Sequence, residues 1–370
     1  MKDRSESVSS VIGAKRCVRV MLVEDSATEL YLLRKLFELA PDLEIVGEAR
    51  NGIEALELLP AARPDIVCTD YHMPRMDGLE FILRAKAITD CPIMVLSVAV
   101  QAHQKDNIFK LLSAGAVAVV AKPAGTTAGI TSDEGRQLFE TIRALVRARP
   151  HQAGAAPAAR LQPASNRIAR MSRASTSVPD LKGISLAAIG ASTGGPQILS
   201  AIFSRLPTSC PVPIVCVQHI SSGFLEGMVS WLQSRCKLVI EIAESGDTPR
   251  PGHIYFAPDG RNLTIDAQRR FVLDAGRSPS LHCPGVDPLF ASVAQQYGSR
   301  ALGILLSGMG RDGAAGLKAL RNADAATIAQ DEATSVIFGM PGAAIALGAA
   351  QFVLSTEAIA QALSRLQSPN

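Results

Sequence analysis

Two stretches of this sequence repeat one pattern. Short runs of β-branched and apolar residues, most closed by a polar residue, alternate with amphipathic helical stretches. That alternation marks parallel α/β folds, because neighbouring parallel strands need a long crossover that is usually a helix. Between the two stretches, residues 148–182 read ARPHQAGAAPAARLQPASNRIARMSRASTSVPDLK. This segment is rich in Ala, Pro, Ser and Arg, lacks aromatics and holds no sustained period. It cannot bury enough apolar area to offset the entropy of ordering, so it reads as a flexible basic linker, with an arginine-rich docking segment as the alternative.

The first stretch offers strand candidates at 18–23, 44–49, 66–69, 93–96 and 117–121, with helical stretches between them and one near 137–147. This is the pattern of a doubly wound five-stranded sheet. In the second, strands are expected at 186–189, 214–218, 238–242, 254–257, 263–265, 301–306 and 327–329. Helices are expected after Pro196, Glu226, Asp287, Ala314 and Glu357. Closely spaced strands and turn residues between Gly246 and Leu273 suggest a small antiparallel ribbon beside a mostly parallel sheet. The organisation expected is a flexible tail over 1–16, an α/β domain over 17–147, the linker over 148–182 and a second α/β domain over 183–370.

At 370 residues the chain exceeds one ordinary core, and 47% hydrophobic with 19% charged residues suits folded domains. The charge is unevenly spread. Residues 147–182 hold seven basic and one acidic residue, whereas 183–370 hold thirteen of each. Neither folded half has the basic footprint of a nucleic-acid module, which weighs against a DNA-binding output and leaves it the weakest rival. Seven cysteines without a C-x-x-C pair read as buried thiols in a reducing compartment. No apolar run could span a bilayer, and the first sixteen residues lack a signal-peptide core, so a cytoplasmic protein is expected.

In the first half, Glu24 and Asp25 close one strand, Asp70 another, and Ser97 and Lys122 follow two more. Ligands of open parallel sheets bind outside the strands' carboxyl ends. Three carboxylates gathered there would repel one another unless a hard cation such as Mg²⁺ neutralised them. Lys122 and Ser97 would then meet phosphate oxygens. The motifs VEDS (23–26), DYHMPRMDG (70–78), LS (96–97) and AKP (121–123) make this half resemble the receiver domain of two-component response regulators across almost its whole length. The resemblance implies that Asp70 accepts a phosphoryl group from a histidine-kinase phosphodonor. Glu24, Asp25, Asp70 and the backbone carbonyl of His72 would hold Mg²⁺, Ser97 and Lys122 would contact the phosphoryl group, and the Lys122–Pro123 bond would be cis. Val119 stands where many receivers carry an aromatic ring that reports phosphorylation. The longer segment 124–135 has no functional account.

The second half contains AAIGASTGGPQIL, an apolar strand that passes through glycines into a helix. A phosphate loop would need a lysine among the glycines, and none is there. Two readings remain: a plain strand–turn–helix junction, or a nucleophilic serine at a helix N-terminus where backbone N–H groups stabilise an oxyanion. A nucleophile needs a base. Of the histidines after the linker, His253 lies in the GHIYFAP strand and His282 in a Ser/Pro-rich loop, whereas His219 directly follows PIVCVQ. Asp312, in LLSGMGRDGA, again leads through glycines into a helix. Three strand ends thus bring Ser192, His219 and Asp312 to one edge, as acyl transfer requires. The order Ser, His, Asp differs from that of α/β-hydrolases.

The blocks IGASTGGP, VQHI with GF at 223–224, YFAPDG, PGVDPLF, LLSGMGRDGA and DEATSVIFGMP make residues 183–370 similar to the catalytic domain of the chemotaxis protein-glutamate methylesterases (CheB). The resemblance implies that Ser192 attacks a γ-glutamyl methyl ester on chemoreceptor helices, with His219 as base and Asp312 orienting it. The backbone N–H groups of Thr193 and Met309 would form the oxyanion hole. Glutamate and methanol would be released without a cofactor, and some members also deamidate receptor glutamines. It further implies an intramolecular interface through which the receiver covers the cleft, and membrane contact only through the receptors. Asn262, where many relatives carry His, and Ser221–Ser222, where prolines are common, are expected to alter the rim of the cleft. The alternatives are a receiver fused to a non-catalytic binding output, and a serine hydrolase acting on another ester or amide.

Overall fold

The computed structural model describes residues 17–97, 105–123, 133–148, 181–275 and 283–367. The expected tail, nearly all of the linker, most of segment 124–135 and His282 lie outside the described residues.

The first half runs β1 (Val18–Val23), α1 (Ala27–Phe37), β2 (Leu43–Ala49), α2 (Gly52–Ala62), β3 (Ile66–Asp70), α3 (Gly78–Lys86), β4 (Ile93–Ser97), α4 (Lys105–Ala114), β5 (Ala118–Ala121) and α5 (Asp133–Arg147). The sheet has the order β2-β1-β3-β4-β5, with all pairings parallel. Strands β3 and β4 are buried at every position, as expected where helices cover both faces. Side chains N-terminal to the helices stop them from fraying: Ser26 caps α1 by accepting from Glu29 N–H at 3.3 Å, and Asn51 and Asp77 cap α2 and α3 in the same way. The order reverses between β1 and β3, so the residues after these strands face a common crevice.

The second half runs β6 (Leu186–Ala191), α6 (Gly195–Phe203), β7 (Ile214–Gln218), α7 (Leu225–Gln233), β8 (Val239–Ile242), β9 (His253–Phe256), β10 (Asn262–Ile265), β11 (Phe271–Asp274), α8 (Val286–Tyr297), β12 (Ala301–Leu305), α9 (Ala314–Asn322), β13 (Ala326–Gln330), α10 (Met340–Ala346), β14 (Phe352–Leu354) and α11 (Thr356–Ser364). Seven strands form a parallel sheet in the order β14-β13-β12-β6-β7-β9-β8, and β10–β11 is a separate antiparallel pair. The ribbon is smaller than the turn signals suggest. β9 lies within the main sheet, between β7 and β8, because its alternate residues pack into the core: Ile254 and Phe256 on one face, Tyr255 on the other.

Among the described residues the cis peptide bond is Cys283–Pro284, so the expected cis bond at Lys122–Pro123 is not found. The trans preference of an X–Pro bond is only about 0.5–1 kcal/mol, so local contacts rather than residue type select the isomer. Five cysteines are buried as expected, whereas Cys17 and Cys283 are exposed. No helix among the described residues is long and apolar enough to cross a membrane.

The two halves touch. Phe109 on α4 stacks on Trp231 of α7 with ring centroids 5.5 Å apart and planes 25° apart. Arg235 lies over the same indole at 5.1 Å and donates to Ser113 Oγ at 3.1 Å. Gln197 on α6 donates to the Ala116 carbonyl at 3.0 Å. Ile337, from the loop after β13, belongs to the same apolar cluster as Leu138, Phe139 and Ile142 of α5, and Val336 packs against that cluster.

Candidate active site

Three adjacent strands, β12, β6 and β7, deliver the candidate triad. Ala191 pairs with Gln218 across β6 and β7, so Ser192 and His219 leave neighbouring strands at the same level. Strand spacing puts such backbones about 4.8 Å apart. His219 N–H donates to the Ala191 carbonyl at 2.9 Å, and Ser192 N–H donates to the Ser307 carbonyl beyond β12 at 2.9 Å. Gln218 ties the pair further: its Nε2 donates to the Ser192 carbonyl at 2.8 Å and the His219 carbonyl at 2.7 Å.

Two glycines are required here by space. Gly194 adopts φ +81°, and a Cβ there would lie 2.5 Å from Val336. A Cβ on Gly308 would lie 2.7 Å from the Cβ of Ser192. Without them the Ser192 turn and the turn after β12 could not approach so closely. The turn after Ser192 opens α6, with Pro196 at its second position.

Asp312 and His219 meet through Asp312 Oδ2 and His219 Nε2 at 2.9 Å. The same carboxylate accepts from Val286 N–H at 2.8 Å, Asp287 N–H at 3.1 Å and Gly313 N–H at 3.0 Å. It therefore caps α8, whose own N-cap, Gly285, has no side chain to do so. Burial alone would push the Asp312 pKa up. The hydrogen bond from His219 and those from the Val286 and Asp287 amides outweigh burial and hold it below the ordinary value. The carboxylate stays charged and accepts the proton on Nε2, so Nδ1 is the ring nitrogen that Asp312 does not engage. Neighbouring Asp287 moves the other way: burial and then the nearby Asp312 charge raise it, against a 2.6 Å hydrogen bond from Gly316 N–H.

Asn262 is not at the rim of the cleft. It is buried, and its Oδ1 accepts from Gly285 N–H at 2.9 Å, bracing the α8 N-terminus from the other side. His253 opens β9 at the amino edge of the sheet, 3.3 Å from Glu241 and stacked on Tyr255, so it does not share the edge of Ser192. Ser221 does line the cleft.

A cavity of about 290 Å³ covers this edge. Ser192, Thr193, Gln218, His219 and Phe224 form one side, and Val117, Val119, Val120, Gln137 and Thr141 of the receiver half form the other. Met309 sits in the turn after Ser307, where Gly308 is fastened by N–H to the Ile337 carbonyl at 3.0 Å and by its carbonyl to Met340 N–H at 2.9 Å.

At the other crevice, Glu24, Asp25 and Asp70 offer carboxylate oxygens that all lie within 4.8 Å of one another, the only such group of metal-binding side chains among the described residues. Lys122 Nζ lies 2.7 Å from Glu24 and 3.1 Å from Asp70. Burial raises the Glu24 pKa, with Lys122 opposing it. For Lys122, burial disfavours the charge, but Glu24 and Asp70 together outweigh it and raise its pKa. Ser97 ends β4, is buried, and accepts from Lys122 N–H through its carbonyl at 2.8 Å. His72 is exposed two residues beyond Asp70. The all-oxygen donor set suits Mg²⁺.

Sequence reasoning passes over Gln218, Ser307 and Gln330. A polar residue closing an otherwise apolar buried strand was the available signal: β7 reads IVCVQ and β13 reads ATIAQ.

The class of protein follows from comparison with known families. Residues 20–131 match the response regulator receiver domain and residues 187–363 match the CheB methylesterase domain. A protein-glutamate methylesterase/protein-glutamine glutaminase of Syntrophus aciditrophicus is 37% identical over 94% of this chain and 98% of its own length. One from Anaeromyxobacter dehalogenans is 38% identical over 94% of this chain and 98% of its own. The CheB methylesterase catalytic domain of Thermotoga maritima is 36% identical, with a TM-score of 0.48, covering 49% of this chain and 97% of that one. The chain belongs to the receiver-linked protein-glutamate methylesterase/protein-glutamine glutaminase family.

Proposed function

We propose that this chain hydrolyses γ-glutamyl methyl esters on chemoreceptor helices in the cytoplasm, with Ser192, His219 and Asp312 as its catalytic triad. The observation that carries the reading is the 2.9 Å contact between His219 Nε2 and Asp312, with Ser192 leaving the next strand beside it. His219 Nδ1 takes the Ser192 hydroxyl proton as Oγ attacks the ester carbon. The developing oxyanion is held by the N–H groups of Thr193 and Met309. Collapse expels the methoxy group, which takes the proton from His219 and leaves as methanol. Water then attacks the acyl-enzyme, gives its proton to Nδ1, and releases glutamate as Ser192 Oγ recovers a proton. A carboxamide reacts by the same steps with ammonia as the leaving group, which fits the glutaminase in the relatives' names. No cofactor enters the hydrolysis.

In this reading a histidine kinase phosphorylates Asp70. Glu24, Asp25, Asp70 and the His72 carbonyl hold Mg²⁺, which supplies charge neutralisation there, and Lys122 and Ser97 contact the phosphoryl group. The receiver half roofs the cavity over Ser192, which supports a gate: phosphorylation shifts the population from a covered to an open arrangement. A tenfold shift needs only about 1.4 kcal/mol.

The test is methanol release from methylated receptor membranes, with and without a small-molecule phosphodonor. The parent protein should release methanol faster with the donor, and Ser192→Ala should release none. Equal release by Ser192→Ala would remove Ser192 as nucleophile.

A further inference from the structure

The residue that joins the two sides of the proposed oxyanion pocket is Ser307. It lies two residues beyond the end of β12 and is fully buried. Its carbonyl accepts from Ser192 N–H at 2.9 Å. Its hydroxyl donates to the Thr193 carbonyl at 2.8 Å, with the Ile337 carbonyl at 3.2 Å, and accepts from Ile337 N–H at 2.9 Å. Its own N–H donates to Gln330 Oε1 at 2.8 Å. One small side chain and its backbone thus hold the turn carrying Thr193, the loop at Ile337 and the start of the turn carrying Met309.

Gln330, also fully buried, anchors this junction from behind. Its Nε2 donates to the Thr334 carbonyl at 2.7 Å, with Thr334 Oγ1 at 3.2 Å and Thr356 Oγ1 at 3.0 Å. A buried polar network with its members this fully paired locks a geometry, because any rotation leaves an amide or hydroxyl without a partner.

We propose that Ser307, backed by Gln330, is a positioning residue that sets the spacing of the Thr193 and Met309 N–H groups, and so the stabilisation of the tetrahedral oxyanion. The inference rests on the oxyanion pocket assigned under the proposed function, and it concerns transition-state rather than ground-state binding.

The test compares Ser307→Ala, Ser307→Cys and Gln330→Met in the full chain, below the melting temperature of each. Two rates are read: methanol release, and labelling of Ser192 by a fluorophosphonate. In labelling, Ser192 Oγ bonds to phosphorus, fluoride leaves, the hydroxyl proton passes to His219, and the phosphoryl oxygen occupies the oxyanion pocket. Losing one oxyanion donor outright costs about 10²–10³-fold, so a displaced pair should cost less. For Ser307→Ala we expect kcat to fall about 10- to 100-fold with KM within about twofold, and labelling to slow in parallel. Ser307→Cys, which keeps a weaker donor and acceptor, should recover part of both rates. Gln330→Met should lower both by a smaller factor, and it keeps the test open if Ser307→Ala does not fold. Lower melting temperatures with parental kcat and labelling rates would overturn the proposal and leave Ser307 purely structural. Labelling does not depend on the natural ester. A parent protein that labels in a Ser307-dependent way yet releases no methanol would overturn the esterase reading and uphold this one.

Discussion

His219 meets Asp312 through its Nε2, and the carboxylate that receives it also closes the N-terminus of the helix Val286–Tyr297. One acidic side chain therefore both fixes the imidazole and caps a helix. Asp312→Asn should lower kcat by about 10³–10⁴-fold while substrate binding persists, as when an orienting aspartate is lost from a triad. The sign of its pH effect is set by its lowered pKa. Stability from Asp312 is fully present above the unfolded carboxylate value and is lost as pH falls through the lower folded value. Urea unfolding from neutral to acid pH should thus be less pH-dependent in Asp312→Asn than in the parent. Identical acid profiles would refute the assignment.

Asp70→Asn should keep basal methanol release and lose the stimulation by a phosphodonor. The variant retains a side chain of the same shape at the end of its strand but cannot form the acyl phosphate. Stimulation equal to that of the parent would show that another group takes the phosphoryl.

Lys122 neutralises Glu24 at 2.7 Å and Asp70 at 3.1 Å in a buried crevice. Removing one partner of a buried ion pair typically costs about 3–5 kcal/mol. Lys122→Met should destabilise the receiver half by that order, and Mg²⁺ should restore more stability to the variant than to the parent. Glu24 has a raised pKa, chiefly from burial, so its ionisation opposes folding. Without Lys122, stability should fall more steeply as pH rises through the carboxylate range. Melting curves across pH, with and without Mg²⁺, measure both effects.

The Phe109–Trp231 stack is an aromatic contact between the halves. Such a pair contributes about 0.5–1.5 kcal/mol beyond its buried area. Trp231→Ala should therefore raise unphosphorylated methanol release several-fold and shrink the stimulation by a phosphodonor. Unchanged basal activity would place the gate elsewhere.

The site was legible because strand ends announce themselves. VEDS, the Asp70 run, IGASTGG, VQH and GRDG each follow an apolar run, and parallel sheets collect such ends at one edge. What the sequence could not carry was detail set by distant partners. β9 looked like part of a hairpin because only its flanking turns are local, whereas its parallel neighbours β7 and β8 are set by packing. Helix Met340–Ala346 and strand Phe352–Leu354 are too short for periodicity to register. Asn262 looked like a rim substitution, yet it serves Gly285, twenty-three residues away. Nε2 rather than Nδ1 as the partner of Asp312 depends on a ring orientation that no sequence pattern encodes.

The cavity above Ser192 has one wall from each half, and Val119 stands in the wall on the receiver side. Its volume is thus a property of the intact chain that neither piece possesses alone. A small molecule shaped to fill it would act as a wedge or a staple between two bodies rather than as a substrate mimic. Under the proposed gate it would discriminate between the covered and open arrangements, and an isolated catalytic fragment would be blind to it.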